Sequence, residues 1–154
     1  MKTQIHNYRS GLQIIPDSIR NSVIESINDI DCVGASGDTR AFNKNLMNKL
    51  YASGWSESVP LSVYSKISIT SIFEKIGLCV QTGNIARIYA DILKLQTLYT
   101  DEKISAGIVV LPVKDCADFI GKNVASYERF LRELTFVFSK VITVPLLVVG
   151  FDNA

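Results

Sequence analysis

Three side chains near the middle of the chain share a spacing that could bring them to one place: Thr70, Cys79 and Gln81. They lie in KISITSIFEKIGLCVQ, residues 66–81. Ile67 and Ile69 alternate with Ser68 and Thr70, Glu74-Lys75 falls at a turn, and Ile76, Leu78 and Val80 alternate with Gly77, Cys79 and Gln81. A period of two on both sides of a turn predicts a β-hairpin. Successive strand side chains point to opposite faces, so Ile76, Leu78 and Val80 bury one side while Thr70, Cys79 and Gln81 share the other. That face carries a hydroxyl, a thiol and an amide. Magnesium takes hard oxygen ligands, above all carboxylates, and a thiol suits zinc or copper better. Gln81 can orient a water, but nothing beside it activates one. Cys79 reads as a small half-buried residue rather than a reactive thiol, and Thr70 as an ordinary strand residue.

Acids that could take over such a site lie on predicted helices: Asp91 after the hairpin and Glu128 further on. Read from their settings alone, both are helix-surface or capping charges. Glu74 sits at the hairpin turn and is solvated. His6 is the only histidine and lies near a terminus, where order is often lost, so a Ser-His-Asp or Cys-His arrangement would depend on that one residue. The VGASGD stretch, residues 33–38, lacks the lysine and spacing of a phosphate-binding loop. Cys32, Cys79 and Cys116 are odd in number, widely spaced and contain no CxxC pair, which argues against both a disulfide framework and a zinc cluster. Lys66, Lys75, Arg87, Lys94, Arg129 and Arg132 read as solvated charges. Arg87, near the N-terminus of the next helix, and Lys66 are the two placed to meet a DNA phosphate.

The elements that must position these residues follow in order. Pro16-Asp17-Ser18 precedes Ile19, Val23, Ile24, Ile27 and Ile30 at helical intervals, with Asp17 or Ser18 as the cap. Residues 31–38 form a loop of small residues. A second helix runs from about Ala41, with Phe42, Leu46, Met47, Leu50 and Tyr51 on its buried stripe, and stops near Gly54. An amphipathic helix follows the hairpin to about Tyr99. Residues 106–111 (AGIVVL) read as a buried strand ending at Pro112, and Asp115–Ile120 as a helical turn. A further helix spans about Val124–Phe138, with Phe136 off its buried face as an interface candidate, and residues 144–150 (VPLLVVG) form the last buried strand. Strands alternating with helices predict an α/β fold with a mixed β-sheet flanked by helices.

With 154 residues, 47% hydrophobic, the chain reads as one domain over 1–154 with an ample core. A net charge of +1 gives no support for strong non-specific binding to nucleic acid. No apolar run approaches the roughly 20 residues that cross a bilayer, and the start, MKTQIHNYRSG, lacks a secretory apolar core. The expectation is a soluble cytoplasmic protein with no membrane partner.

The hairpin and the elements around it resemble the type II restriction endonucleases of the BglII/BstYI group, in the PD-(D/E)XK nuclease superfamily. That group builds a divalent-metal site from an Asp on the first strand and a Glu-Val-Gln tripeptide on the second. Cys79-Val80-Gln81 stands where the tripeptide belongs, and Thr70 where the Asp belongs. Gln81 is thus the retained motif position, and Thr70 and Cys79 are degenerate metal-acid positions. Asp91 in ARIYADILKLQ, Leu111-Pro112-Val113-Lys114, Tyr127-Glu128, the Val144–Gly150 ending and Gly54-Trp55 extend the likeness, which is strongest over residues 66–150. Between Trp55 and Lys66 the chain is shorter than the family's, which carries there a longer excursion that helps close around DNA.

The resemblance implies a restriction-endonuclease-like core and a pseudo-nuclease: a protein that has lost metal-dependent DNA cleavage and keeps a DNA-binding or partner-binding role in restriction-modification or phage defence. No cofactor is expected on this reading, and no metal ligands are assigned. Two alternatives stand beside it. One is an active Mg²⁺-dependent type II endonuclease with a site rearranged around Gln81, Asp91 or Glu128. The other is a protein-only accessory subunit, favoured by the low net charge and the short 55–66 region. The implied partners are double-stranded DNA and a second copy of the chain, or the other subunits of a defence complex.

Overall fold

The apolar run AGIVVLP forms the middle strand of the sheet, and all seven of its residues are buried. A strand covered on both faces has no polar side to alternate with, so it reads as a continuous apolar segment. The computed structural model describes residues 1–31 and 33–153. In chain order the elements are β1 (Lys2–Tyr8), α1 (Gly11–Ile14), α2 (Asp17–Asn28), α3 (Arg40–Ala52), β2 (Val59–Pro60), β3 (Ser68–Ile69), β4 (Ser71–Phe73) and β5 (Ile76–Val80). There follow α4 (Ala86–Thr100), β6 (Ala106–Pro112), α5 (Lys114–Ile120), α6 (Tyr127–Phe136) and β7 (Leu146–Asp152).

The main sheet has the order β1-β7-β6-β5-β4. β5, β6 and β7 run parallel, while β1 and β4 pair antiparallel at the two edges. The sheet is therefore mixed, as the alternation of elements predicts. Phe42 of α3 stacks on Phe151 of β7 at 4.5 Å. The neighbouring Gly150 lies under the ring of Tyr127 on α6, 2.8 Å from where a Cβ would stand. Adjacent strand residues face opposite ways, so α3 and α6 cover opposite faces. α4 shares the α6 face, because Tyr89 donates a hydrogen bond to Glu133 at 2.6 Å.

The hairpin has the predicted turn. Glu74 and Lys75 both adopt positive φ, 47° and 64°, the two-residue geometry that matches strand twist. Its first arm departs from the expected strand. Only Ser71–Phe73 pairs with β5, in the register Ser71↔Leu78. Ser68–Ile69 turns away to pair with Val59–Pro60, and Thr70 marks the bend between the two. Ile67 is consequently exposed while Ile69 is buried. Gly54 ends α3 with φ 102°, and a side chain there would meet Phe73 at 2.8 Å, so Trp55 can pack against Phe73 at 5.7 Å.

Several local expectations are corrected. The first residues, His6 among them, are an ordered edge strand paired with β7, and the Met1 amino group donates to Asn28 and Ile30 carbonyls. Neither Asp17 nor Ser18 caps α2. Pro16 holds the cap position and both residues lie in the first turn. Tyr51 is exposed rather than part of the α3 stripe. The helix expected from Val124 begins at Tyr127, because residues 123–125 are drawn onto the loop after β5: Ile85 N–H donates to Asn123 O and Ala125 N–H to Gly83 O. Val137 is exposed past the end of that helix, and Phe136 is exposed as expected. The last strand starts at Leu146 rather than Val144. Cys32 lies outside the described residues.

Candidate functional site

Two hollows open at the carboxyl ends of the central parallel strands, where open α/β sheets commonly hold ligands. The first is a cleft of about 590 Å³ beyond the end of β5. Its floor is Val80–Gly83, one wall is Thr39 and Asn43 of the α3 entry, and the other is Arg87, Ala90, Asp91 and Lys94 of α4. Asn43 Nδ2 donates to Thr82 Oγ1 at 3.0 Å and ties the first wall to the floor.

Gln81 and Asp91 form the centre of this cleft. Gln81 Nε2 donates to Asp91 Oδ2 at 2.7 Å, and its Oε1 accepts the Gly83 N–H at 3.0 Å. Lys94 Nζ donates to Asp91 Oδ1 at 3.2 Å. Both carboxylate oxygens are thus engaged, and the Asp91 and Lys94 side chains are only 11% and 24% exposed. Asp91 is a buried charge rather than the surface charge expected, and Lys94 is half-buried rather than solvated. Withdrawing one partner from a pair this sheltered costs about 2 kcal/mol or more, since the remaining charge is left in poor solvent.

Thr70 and Cys79 line neither hollow. The Thr70 hydroxyl accepts the Val80 N–H at 3.2 Å and so closes the free edge of β5. Cys79 points to the α4 face with its Sγ 4.0 Å from the Asp91 carbonyl, and it is buried. Cys79 and Gln81 thus lie on the α4 side of β5, where the helix covers the thiol, while Thr70 stands at the bend with its hydroxyl on the strand edge. Burial, then the Asp91 charge, pushes the Cys79 thiol well above its ordinary range, so it stays protonated and inert.

Glu128 lies in the second hollow, about 360 Å³, beyond the end of β6. Its Oε2 accepts the Lys114 N–H at 2.8 Å at the start of α5. Among the described residues, Lys114, Lys122, Arg129 and Arg132 line the same hollow against Asp118 and Glu128, two cationic charges in excess. Lys114 pairs with Asp118 and Arg129 with Glu133. The Asn84–Val124 bridge joins the loops that separate the two hollows. Arg87 lines the first hollow and Lys66 is exposed outside both. Sequence reasoning missed Asn43 in the first turn of α3 and Thr82 and Lys122 in loops, single polar residues without a recurring pattern. The three-residue spacing of Asp91 and Lys94 was the available signal for their pairing.

The mixed sheet, with its helices on both faces and these hollows at its carboxyl edge, has the architecture of a restriction-endonuclease-like protein. It superposes on the crystal structure of BglII complexed with a DNA 16-mer with a TM-score of 0.86 and 15% identity, covering 100% of this chain and 79% of that one. Against free BglII the TM-score is 0.76 at 17% identity, with 100% and 81% covered. The type II restriction enzyme BamHI of Bacillus amyloliquefaciens is 26% identical over 93 residues, which are 60% of this chain and 42% of that enzyme. The matched stretch thus spans less than half of that relative. The family model for restriction endonuclease BglII/BglIII matches residues 3–151. The chain belongs to this BglII-type family of restriction endonucleases.

The family resemblance implies a divalent cation between positions 70 and 79, and the donors present do not fit one. Position 70 offers a hydroxyl already bound to the backbone, position 79 a sealed thiol, and the nearby carboxylate is neutralised by Lys94. Among the described residues no three His, Cys, Asp or Glu side chains converge on a common point. No helix among them is long and apolar enough to cross a membrane.

Proposed function

We propose that this BglII-type chain binds duplex DNA and does not hydrolyse it by the metal-dependent route. One observation carries the reading: Asp91, the single acid among the described residues lining the first cleft, has both oxygens held by Gln81 and Lys94. Metal-assisted hydrolysis of a phosphodiester needs carboxylates free to hold a cation against the phosphate and to generate hydroxide. Glu128 stands in the other hollow, on the Lys114 amide, and does not complete a pair with Asp91. The DNA-binding part draws on the basic side chains at the carboxyl edge of the sheet, Arg87 and Lys94 on one side of the Asn84–Val124 bridge and Lys122, Arg129 and Arg132 on the other. Phosphate contacts of this kind give orientation and affinity without sequence information. The reading carries with it a cytoplasmic setting, in restriction or phage defence.

A second reading is assembly with another protein chain, as a homodimer or a subunit of a defence complex. Phe136, Val137 and Val141 favour it, being 75%, 55% and 63% exposed around the turn that ends α6. Exposed apolar side chains grouped in this way mark interaction surfaces.

The deciding experiment is a plasmid-cleavage gel at low salt with Mg²⁺, then Mn²⁺, with an EDTA control. Intact plasmid in every lane, together with a gel shift of duplex DNA, is the expected result. Metal-dependent cutting that Asp91→Ala or Glu128→Ala abolishes would establish a rearranged active site instead.

A further inference from the structure

We propose that the cleft beyond β5 takes a backbone phosphate of duplex DNA directly, with the Lys94 ammonium and Arg87 guanidinium supplying the positive charge for which a carboxylate site would recruit a divalent cation. The inference rests on the duplex-binding reading above and goes further, since it names the contact and the cation it dispenses with.

Charge decides the class of ligand. Among the described residues lining the cleft, Arg87 and Lys94 face a single carboxylate, Asp91, which leaves one cationic charge in excess. A dication entering it meets an ammonium already seated on the carboxylate. A phosphodiester, with one negative charge, neutralises the excess. Donor supply points the same way. Lys94 has three N–H groups, and one is used, on Asp91 Oδ1. Arg87 is exposed and forms no ion pair among the described residues. Asn43 on the opposite wall and Thr82 on the floor add an amide and a hydroxyl.

Geometry keeps the ammonium in place. Asp91 is fixed by Gln81, and Gln81 by the Gly83 amide, so the chain Gly83–Gln81–Asp91–Lys94 runs from the floor of the cleft to its wall through named hydrogen bonds. A lysine held in this way loses less side-chain freedom on meeting a phosphate than a free surface lysine does. Asp91 is a positioning residue on this view, and it also weakens the attraction it helps to aim.

The test is fluorescence anisotropy of a labelled duplex oligonucleotide in EDTA over a range of salt, for wild type, Lys94→Gln, Arg87→Gln, Asp91→Asn and the Asp91→Asn/Lys94→Gln pair. The proposal expects wild-type binding in EDTA that added Mg²⁺ does not strengthen. Lys94→Gln and Arg87→Gln should each weaken it and reduce the slope of log K against log salt by about 0.9. Asp91→Asn should tighten binding by removing the negative charge. The double variant leaves no charge unpaired and should still bind more weakly than wild type, which separates the phosphate contact from a loss of folding. Duplex binding with the same slope in wild type and Lys94→Gln, or binding that requires Mg²⁺, overturns this inference and leaves DNA binding standing. No duplex binding by the wild type at low salt overturns the duplex-binding reading, and this inference with it.

Discussion

Replacing Cys79 by glutamate returns the acid that the family resemblance implies, yet the structure predicts a damaged fold rather than a restored ligand. Cys79 is buried beneath α4, with its sulfur against the Asp91 backbone. A glutamate adds a carboxyl group and a further methylene to a packed site, and overpacking of that kind costs about 1–3 kcal/mol. Its charge would also stand beside Asp91, with Lys94 already committed, which adds about 1–2 kcal/mol once partial relaxation is allowed. Together these give a loss of about 3 kcal/mol at neutral pH, a large share of the 5–15 kcal/mol typical of a domain. The pH dependence has a definite sign. Burial and Asp91 raise the folded-state pKa of the new carboxyl above its unfolded value near 4.3. Its electrostatic cost is therefore absent well below pH 4, grows as pH rises through the unfolded value, and levels off above the folded one. Urea denaturation at pH 5 and pH 8 should show a lower midpoint than wild type at both, with the larger drop at pH 8. Equal drops would refute the electrostatic part, and an unchanged midpoint would refute the burial of position 79. Thr70→Asp, by contrast, should stay within about 1 kcal/mol of wild type, because a carboxylate can accept the Val80 N–H as the hydroxyl does.

Gln81→Ala removes two hydrogen bonds and leaves Asp91 Oδ2 short of a donor; a loss of about 2 kcal/mol by urea denaturation is expected. Glu74→Asn with Lys75→Gly gives the hairpin turn residues suited to its positive φ values and should stabilise the fold by about 1 kcal/mol, read as a raised melting temperature. Burial pushes Cys116 up to about 11 and Cys79 higher still. Iodoacetamide at pH 8.5 followed by peptide mass mapping should therefore leave both unlabelled in the native protein and label both in urea.

Much of the sheet was legible because apolar runs and period-two alternation are local signals. Residues 106–111 and 76–80 announce themselves in that way, and so does the turn at Glu74-Lys75. The bend at Thr70 does not, since Ser68–Ile69 has the same strand pattern whether it pairs with β5 or with β2. It pairs instead with the nearby Val59–Pro60, which is too short to show a strand pattern of its own. β1 was missed for a related reason: KTQIHNY is an edge strand with one buried residue, so it lacks the apolar stripe that makes a strand visible. At the candidate site, strand alternation puts Cys79 and Gln81 on one side of β5 but could not reveal that α4 covers the thiol or that the chain bends at Thr70. The Gln81–Asp91–Lys94 chain was half legible. Each residue is visible by type and spacing, while the burial that turns three polar side chains into one unit is a property of the assembled layers.

The pairing of β1 with β7 has a consequence for how the chain is made. Lys2 lies opposite Asp152 and Tyr8 opposite Leu146, so β1 leaves the ribosome well over a hundred residues ahead of the strand it pairs with. The β5-α4-β6 unit can form from neighbouring sequence as it emerges, whereas β1 has no partner until β7 appears. Closing so long a loop is slow, and it comes before the contacts that reward it. During synthesis β1 is an open edge able to pair with the wrong chain. Its sparse apolar content, which hid it in the sequence, is also what keeps that wait safe.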